Sequence, residues 1–191
     1  MNGLISVALF LTSILFSLVT FILWGRIFIR FFAISPFEPF SQTIFKITNP
    51  FMTPIQQYIT RSKGTIGRYD VSSLLVLACC ELIKLSLLNL FFLRTSLSFG
   101  YVLLSVPISL IIQPCNILFF AIIVRVIISW VNPLWKNPLV NILFAITEPL
   151  LRLIRKRLPN TGMIDFSPLI AMVLLKCIEI LCLSTIPFQT F

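Results

Sequence analysis

Histidine is absent from this sequence, and acidic residues number only six in 191. Without imidazole, the side chain best suited to proton transfer and metal binding near neutral pH is missing. Charged residues of both signs make up 11%, against about 25% in an ordinary soluble domain. That is too little polar surface to cover a water-soluble globule. No nucleophile–base pair, metal cluster or phosphate-cradling glycine loop is present. The five cysteines, Cys79, Cys80, Cys115, Cys177 and Cys182, all lie in apolar segments without C-x-x-C spacing. Neither a disulfide framework nor a zinc site is indicated, and they read as small core- or lipid-facing residues. The chain reads as a protein that is not an enzyme and takes no cofactor.

What is present is apolar sequence in long blocks, 58% of the chain. Leu4 to Trp24 is an uncharged run of 21 residues, long enough to cross a hydrocarbon core of about 30 Å as a helix. No Lys or Arg precedes it and no A-x-A-like site follows, so it reads as a retained span and not as a cleaved leader. Four spans are expected, at about Leu4 to Phe32, Val71 to Leu93, Val102 to Val131 and Phe166 to Ile186. Pro107 and Pro114 should kink the third, which neighbouring helices can accommodate.

Basic residues are distributed unequally. The stretch after the first span holds Lys46, Arg61, Lys63 and Arg68, and the stretch after the third holds Lys136, Arg152, Arg155, Lys156 and Arg157. Arg94 is alone after the second span, and the termini hold none. The positive-inside rule then puts both long loops in the cytoplasm and both termini outside. The net charge of +9 is thereby a matter of topology, and no nucleic-acid partner is expected. Both loops keep apolar residues at helical spacing, such as Leu139, Ile142, Leu143 and Ile146, and then Leu151, Ile154 and Leu158. Each reads as an amphipathic helix broken in two, at Pro50 and at Pro149. Its cations would face anionic lipid headgroups; the other reading is that the apolar face covers the spans.

Sliding the chain by 99 residues brings Arg26 onto Arg125, Pro39 onto Pro138, Phe45 onto Phe144, Thr48 onto Thr147, Pro50 onto Pro149 and Ile55 onto Ile154. Four extra residues around Arg61 to Gly67 follow in the first half, after which Asp70 meets Asp165 and Ser72 meets Ser167. The expected architecture is an all-α membrane protein with two tandem parallel repeats, residues 1–98 and 99–191. An even number of spans per repeat gives both the same orientation.

Four charges lie inside spans: Glu81, Lys84, Lys176 and Glu179. Intramembrane charges are costly and are partnered or functional, and a spacing of three lets each pair meet on its own helix. Glu81 takes the register position of Lys176, and Lys84 that of Glu179, so the signs are exchanged between repeats. The expectation is a compensated four-charge cluster holding the repeats together; the functional alternative is a proton or cation path. Arg26 and Arg125 lie near the cytoplasmic side, where Asp70 and Asp165 open the next helix. Each arginine is expected either to pair with the aspartate of its own repeat or to snorkel to the interface.

Arg125-Val-Ile-Ile-Ser-Trp130, Asn137-Pro138, Thr147-Glu148-Pro149-Leu-Leu151, Ile154-Arg-Lys-Arg157 and Ile164-Asp-Phe-Ser-Pro168 together resemble the YggT (YlmG) family. Leu153 departs from that pattern, where a proline is usual and where the first repeat keeps Pro54. Asn49 in the first repeat stands where Glu148 stands in the second. The resemblance implies a small bacterial inner-membrane protein without an established activity, linked to osmotic or envelope stress or to cell division. Plastid relatives are linked to cytochrome haem assembly, a role not carried over to a chain without histidine. The combined reading is a membrane scaffold or assembly factor whose Arg152, Arg155, Lys156 and Arg157 contact anionic lipid or a protein partner, a second copy included. The alternative is a small oligomeric potassium or proton channel or transporter using the intramembrane charges.

Overall fold

The computed structural model describes residues 2–60, 70–91, 99–132, 135, 137–158 and 165–185. Among these residues the chain is all helical: α1 (Asn2–Phe31), α2 (Pro39–Thr60), α3 (Val71–Phe91), α4 (Phe99–Val131), α5 (Pro138–Arg155) and α6 (Ser167–Ser184). Four of them, α1, α3, α4 and α6, are long and apolar enough to cross a membrane. The exposed side of α1 is made of Leu11, Leu15, Leu18 and Phe21. A surface of that kind is stable against hydrocarbon and not against water. Of the loop residues read above, Arg61, Lys63, Arg68, Arg94, Lys136 and Ile164 lie outside the described residues.

The chain divides into two compact units, Met1–Ser109 and Leu110–Phe191, the division falling inside α4. In the first unit α1, α2 and α3 pack against one another pairwise. Their shared interior holds Leu23, Trp24, Phe28 and Ile29 from α1, Ile44 and Met52 from α2, and Leu77 from α3. Gly25 permits the close approach of α2, since a Cβ there would stand 2.9 Å from Ile44 Cδ1. α1 ends with Ala33 at φ 52°. Ile34 N–H bonds Ile29 O at 2.9 Å and Ala33 N–H bonds Arg30 O at 3.2 Å. These two bonds satisfy carbonyls of the last turn and swing the chain into α2.

In the second unit Ile122 of α4, Leu151 and Ile154 of α5, and Ala171 and Leu175 of α6 form one buried cluster. α5 begins where Asn137 Oδ1 accepts the Leu139 N–H at 3.1 Å ahead of Pro138, a side-chain cap followed by a residue with no N–H to satisfy. The apolar residues Leu151 and Ile154 thus cover the spans, while Arg152, Lys156 and Arg157 are exposed.

One expectation is corrected. Pro50 and Pro149 do not break the loop helices, for α2 runs through Pro50 and Pro54, and α5 through Pro149, as single helices. A proline deletes one rung of the ladder and can bend a helix without ending it when the rungs on either side persist. α4 likewise passes Pro107 and Pro114 as one helix.

Candidate functional site

The most elaborate polar structure in the first unit is built around Arg26. This side chain is 1% exposed, although it sits in the last turns of an apolar span. Its Nε donates to Asp70 Oδ2 at 3.2 Å, and its NH1 to Thr48 Oγ1 at 2.6 Å and Asn49 Oδ1 at 2.8 Å. The guanidinium also lies 5.1 Å from the centre of the Phe45 ring. Thr48 is a good acceptor because its own proton is spent on Ile44 O at 2.8 Å. One arginine of α1 thereby ties α2 and the start of α3 together.

Asp70 is as buried as its partner. Arg30 NH1 reaches its Oδ2 at 3.1 Å. The Ser72 hydroxyl and the Ser73 N–H donate to Oδ1 at 2.6 and 3.2 Å, and the Ser73 hydroxyl to Oδ2 at 2.7 Å. Asp70 is therefore both a counter-ion and the cap of α3. Burial alone would raise its carboxyl, but the Ser72 and Ser73 donors and the Arg30 charge outweigh that and hold it below the ordinary value.

The second unit uses the same residue types at the same register positions. Arg125 NH1 donates to Thr147 Oγ1 at 2.8 Å, Thr147 Oγ1 donates to Leu143 O at 2.8 Å, and the guanidinium stands 4.2 Å from the Phe144 ring centre. From there the two units differ. Arg125 NH2 pairs with Glu148 Oε2 at 2.6 Å, Glu148 Oε1 accepts Arg155 NH1 at 2.9 Å, and Arg155 Nε reaches Asp165 Oδ2 at 2.9 Å. Asp165 Oδ1 accepts the Ser167 N–H at 2.9 Å and so holds the start of α6.

Two sequence expectations change here. Arg125 does not pair with Asp165: Glu148 follows Thr147 on the same turn of α5 and places a carboxylate where the first unit has the neutral Asn49. Arg155 is not free for lipid, because its guanidinium is committed to Glu148 and Asp165. Burial would raise the Glu148 carboxyl, yet the hydrogen bonds and charges of Arg125 and Arg155 hold it low. Asp165 is held low against its own desolvation by Ser167 and Arg155.

These directions fix a pH dependence. A carboxyl with a lower pKa folded than unfolded contributes stability that is full above its unfolded value and is lost as pH falls through its folded value. Thermal unfolding should thus be flat from about pH 8 to 5 and decline below about pH 4, where carboxyls titrate. Asp70→Asn should make that decline shallower, and an unchanged slope would assign it to other groups.

Each pair of charges within the spans meets on its own helix. Lys84 Nζ lies 3.4 Å from Glu81 Oε1, and Glu81 is 1% exposed. Lys176 Nζ pairs with Glu179 Oε2 at 2.5 Å, donates to Asn116 Oδ1 at 3.0 Å and stands 4.7 Å from the Phe119 ring centre. Asn116 Nδ2 in turn donates to Glu179 Oε1 at 3.1 Å, joining α4 to α6. Asn116 and Phe119, unremarked in the sequence, complete this cluster. Among the described residues no group of three His, Cys, Asp or Glu could hold a metal ion.

A family profile described as CCB3/YggT matches residues 5–91 and again residues 103–186. The uncharacterised protein YggT of Escherichia coli K12 is 34% identical over 172 residues, covering 89% of this chain and 86% of its own. An uncharacterised protein of Pseudomonas aeruginosa is 34% identical over 194 residues, covering 100% of this chain and 95% of its own. The uncharacterised protein ycf19 of Galdieria sulphuraria is 30% identical over 79 residues, 41% of this chain and 81% of its own. No solved structure gives a significant match.

Proposed function

The chain belongs to the CCB3/YggT family, and from that premise we propose that it is a membrane scaffold or assembly factor of the bacterial inner membrane. In this reading it consists of two tandem copies of a two-span unit, with both basic loops cytoplasmic and both termini outside. The double match of the family profile and the one-unit length of the ycf19 match support the tandem copies. So does the recurrence of the Arg–Thr–Phe cradle at a constant offset of 99 residues.

The observation that carries the scaffold reading is how charge is spent. Of the six acidic residues, Asp70, Glu81, Glu148, Asp165 and Glu179 stand in ion pairs inside a unit. Such internal pairing holds helices in place and leaves net charge on one side. Arg152, Lys156 and Arg157 are exposed at the end of α5, on a helix whose other face is fixed to the spans. Cations so placed gather anionic headgroups, at about 1 kcal/mol for each Lys or Arg near the surface. Osmotic and envelope stress are conditions under which such a scaffold would act.

The test is lipid enrichment around reconstituted protein, read by energy transfer from tryptophan to pyrene-labelled phosphatidylglycerol. Reversing Arg152, Lys156 and Arg157 to glutamate should lower the preference for that lipid over phosphatidylcholine at least about tenfold. Undiminished enrichment in the folded triple variant would refute the lipid-gathering role.

The transport reading keeps one observation in its favour. The Lys176 side chain, though paired with Glu179, is 39% exposed within a span, and charges at such positions line ion paths as well as pair with one another.

A further inference from the structure

The second unit contains a cavity of about 330 Å³ between the end of α4 and the start of α5, lined by Ile128, Ser129, Trp135, Val140, Asn141 and Phe144. The register between the units explains its presence. Ser129 stands where the first unit has Arg30, and Phe144 where it has Phe45. Arg30 extends to Asp70 and places its guanidinium 5.8 Å from the Phe45 ring centre. A serine cannot fill that space. Beside Phe144 it leaves an opening with the polar side chains of Ser129 and Asn141 on its wall.

We propose that this cavity holds the primary ammonium group of a phospholipid headgroup, a bound cation in the place of the tethered one in the first unit. The inference rests on the two-copy reading above. Four observations point to that occupant. Aromatic faces attract cations; Trp135 lines the space beside Phe144, whose ring already carries Arg125 at 4.2 Å as Phe45 carries both Arg26 and Arg30. The side-chain oxygens of Ser129 and Asn141 accept hydrogen bonds from an ammonium, which a trimethylated amine could not donate. The cavity lies at the end of a span beside the half-exposed Trp135, the level at which tryptophans mark the headgroup layer. Its volume is at the small end for ligand sites and suits a headgroup, not a whole lipid.

The test measures phosphatidylethanolamine and phosphatidylglycerol binding to the purified full-length chain by native mass spectrometry, with thermal unfolding measured alongside. Trp135→Ala should weaken phosphatidylethanolamine binding about fivefold and leave phosphatidylglycerol binding unchanged. Ser129→Arg should abolish the phosphatidylethanolamine site and leave the melting temperature equal or higher, as the new guanidinium takes the position that Arg30 holds. Binding of both lipids unaffected by Trp135→Ala, or weakened equally, would overturn the site. A steep fall in melting temperature on Ser129→Arg would instead overturn the correspondence of the two units, and the Trp135→Ala result then decides the lipid site by itself.

Discussion

Arg26→Met should remove about 3–5 kcal/mol of stability, the cost of stripping one partner from a buried ion pair. A domain has only about 5–15 kcal/mol in hand, so the yield of monodisperse protein should collapse. The substitution leaves the oxygens of Thr48 and Asn49 without the donor that now satisfies them, and leaves Asp70 with Arg30 as its counter-ion beside the Ser72 and Ser73 donors. Arg26→Lys should rescue little, because one ammonium cannot reproduce a fork that reaches three acceptors on two elements. Arg125→Met should cost less. Its side chain is 12% exposed, and Glu148 keeps Arg155 when Arg125 is gone. The ranking can be read from thermal unfolding and from size-exclusion profiles. Equal losses at the two arginines would mean that burial does not set the cost.

The pair in α6 offers a different kind of result. Lys176→Met and Glu179→Leu should each cost about 2–4 kcal/mol, since each leaves one charge inside a span without its counter-ion. The double variant should return to within about 1 kcal/mol of the parent, because two apolar side chains replace a compensated pair at little net cost. Asn116 then keeps neither charged partner and turns its amide to whatever polar group α6 still offers. Chemical or thermal unfolding of the three proteins decides the matter. A double variant as unstable as either single one would show that the two charges do not act as a unit.

Much of this architecture is legible in the sequence, and the reasons are physical. Spans announce themselves because a helix in hydrocarbon must be apolar for about 20 residues. The run from Leu4 to Trp24 and α1 coincide for that reason. Two charges of opposite sign at the same end of consecutive spans leave Arg26 either to pair with Asp70 or to snorkel, and the structure shows the pair. What the sequence conceals is competition between partners. Nothing in residue spacing says that Glu148 lies nearer than Asp165 to Arg125, or that Arg155 turns inward while Arg152 and Lys156 stay out. Thr48 and Thr147 stand out in the sequence only as matched positions, and that each accepts an arginine is not visible there. The loop prolines misled for a related reason: a missing rung is visible in sequence, but the packing of Leu151 and Ile154 that keeps α5 together is not.

Intramembrane charges that close on one another carry no ions, and potassium and proton flux through the purified protein in liposomes tests this most directly. The expected result is leakage equal to that of empty liposomes, both for the parent and for a folded Glu81→Gln variant. Flux above the empty control, changed by Glu81→Gln in protein that remains folded, would contradict it and make those charges a conduction path.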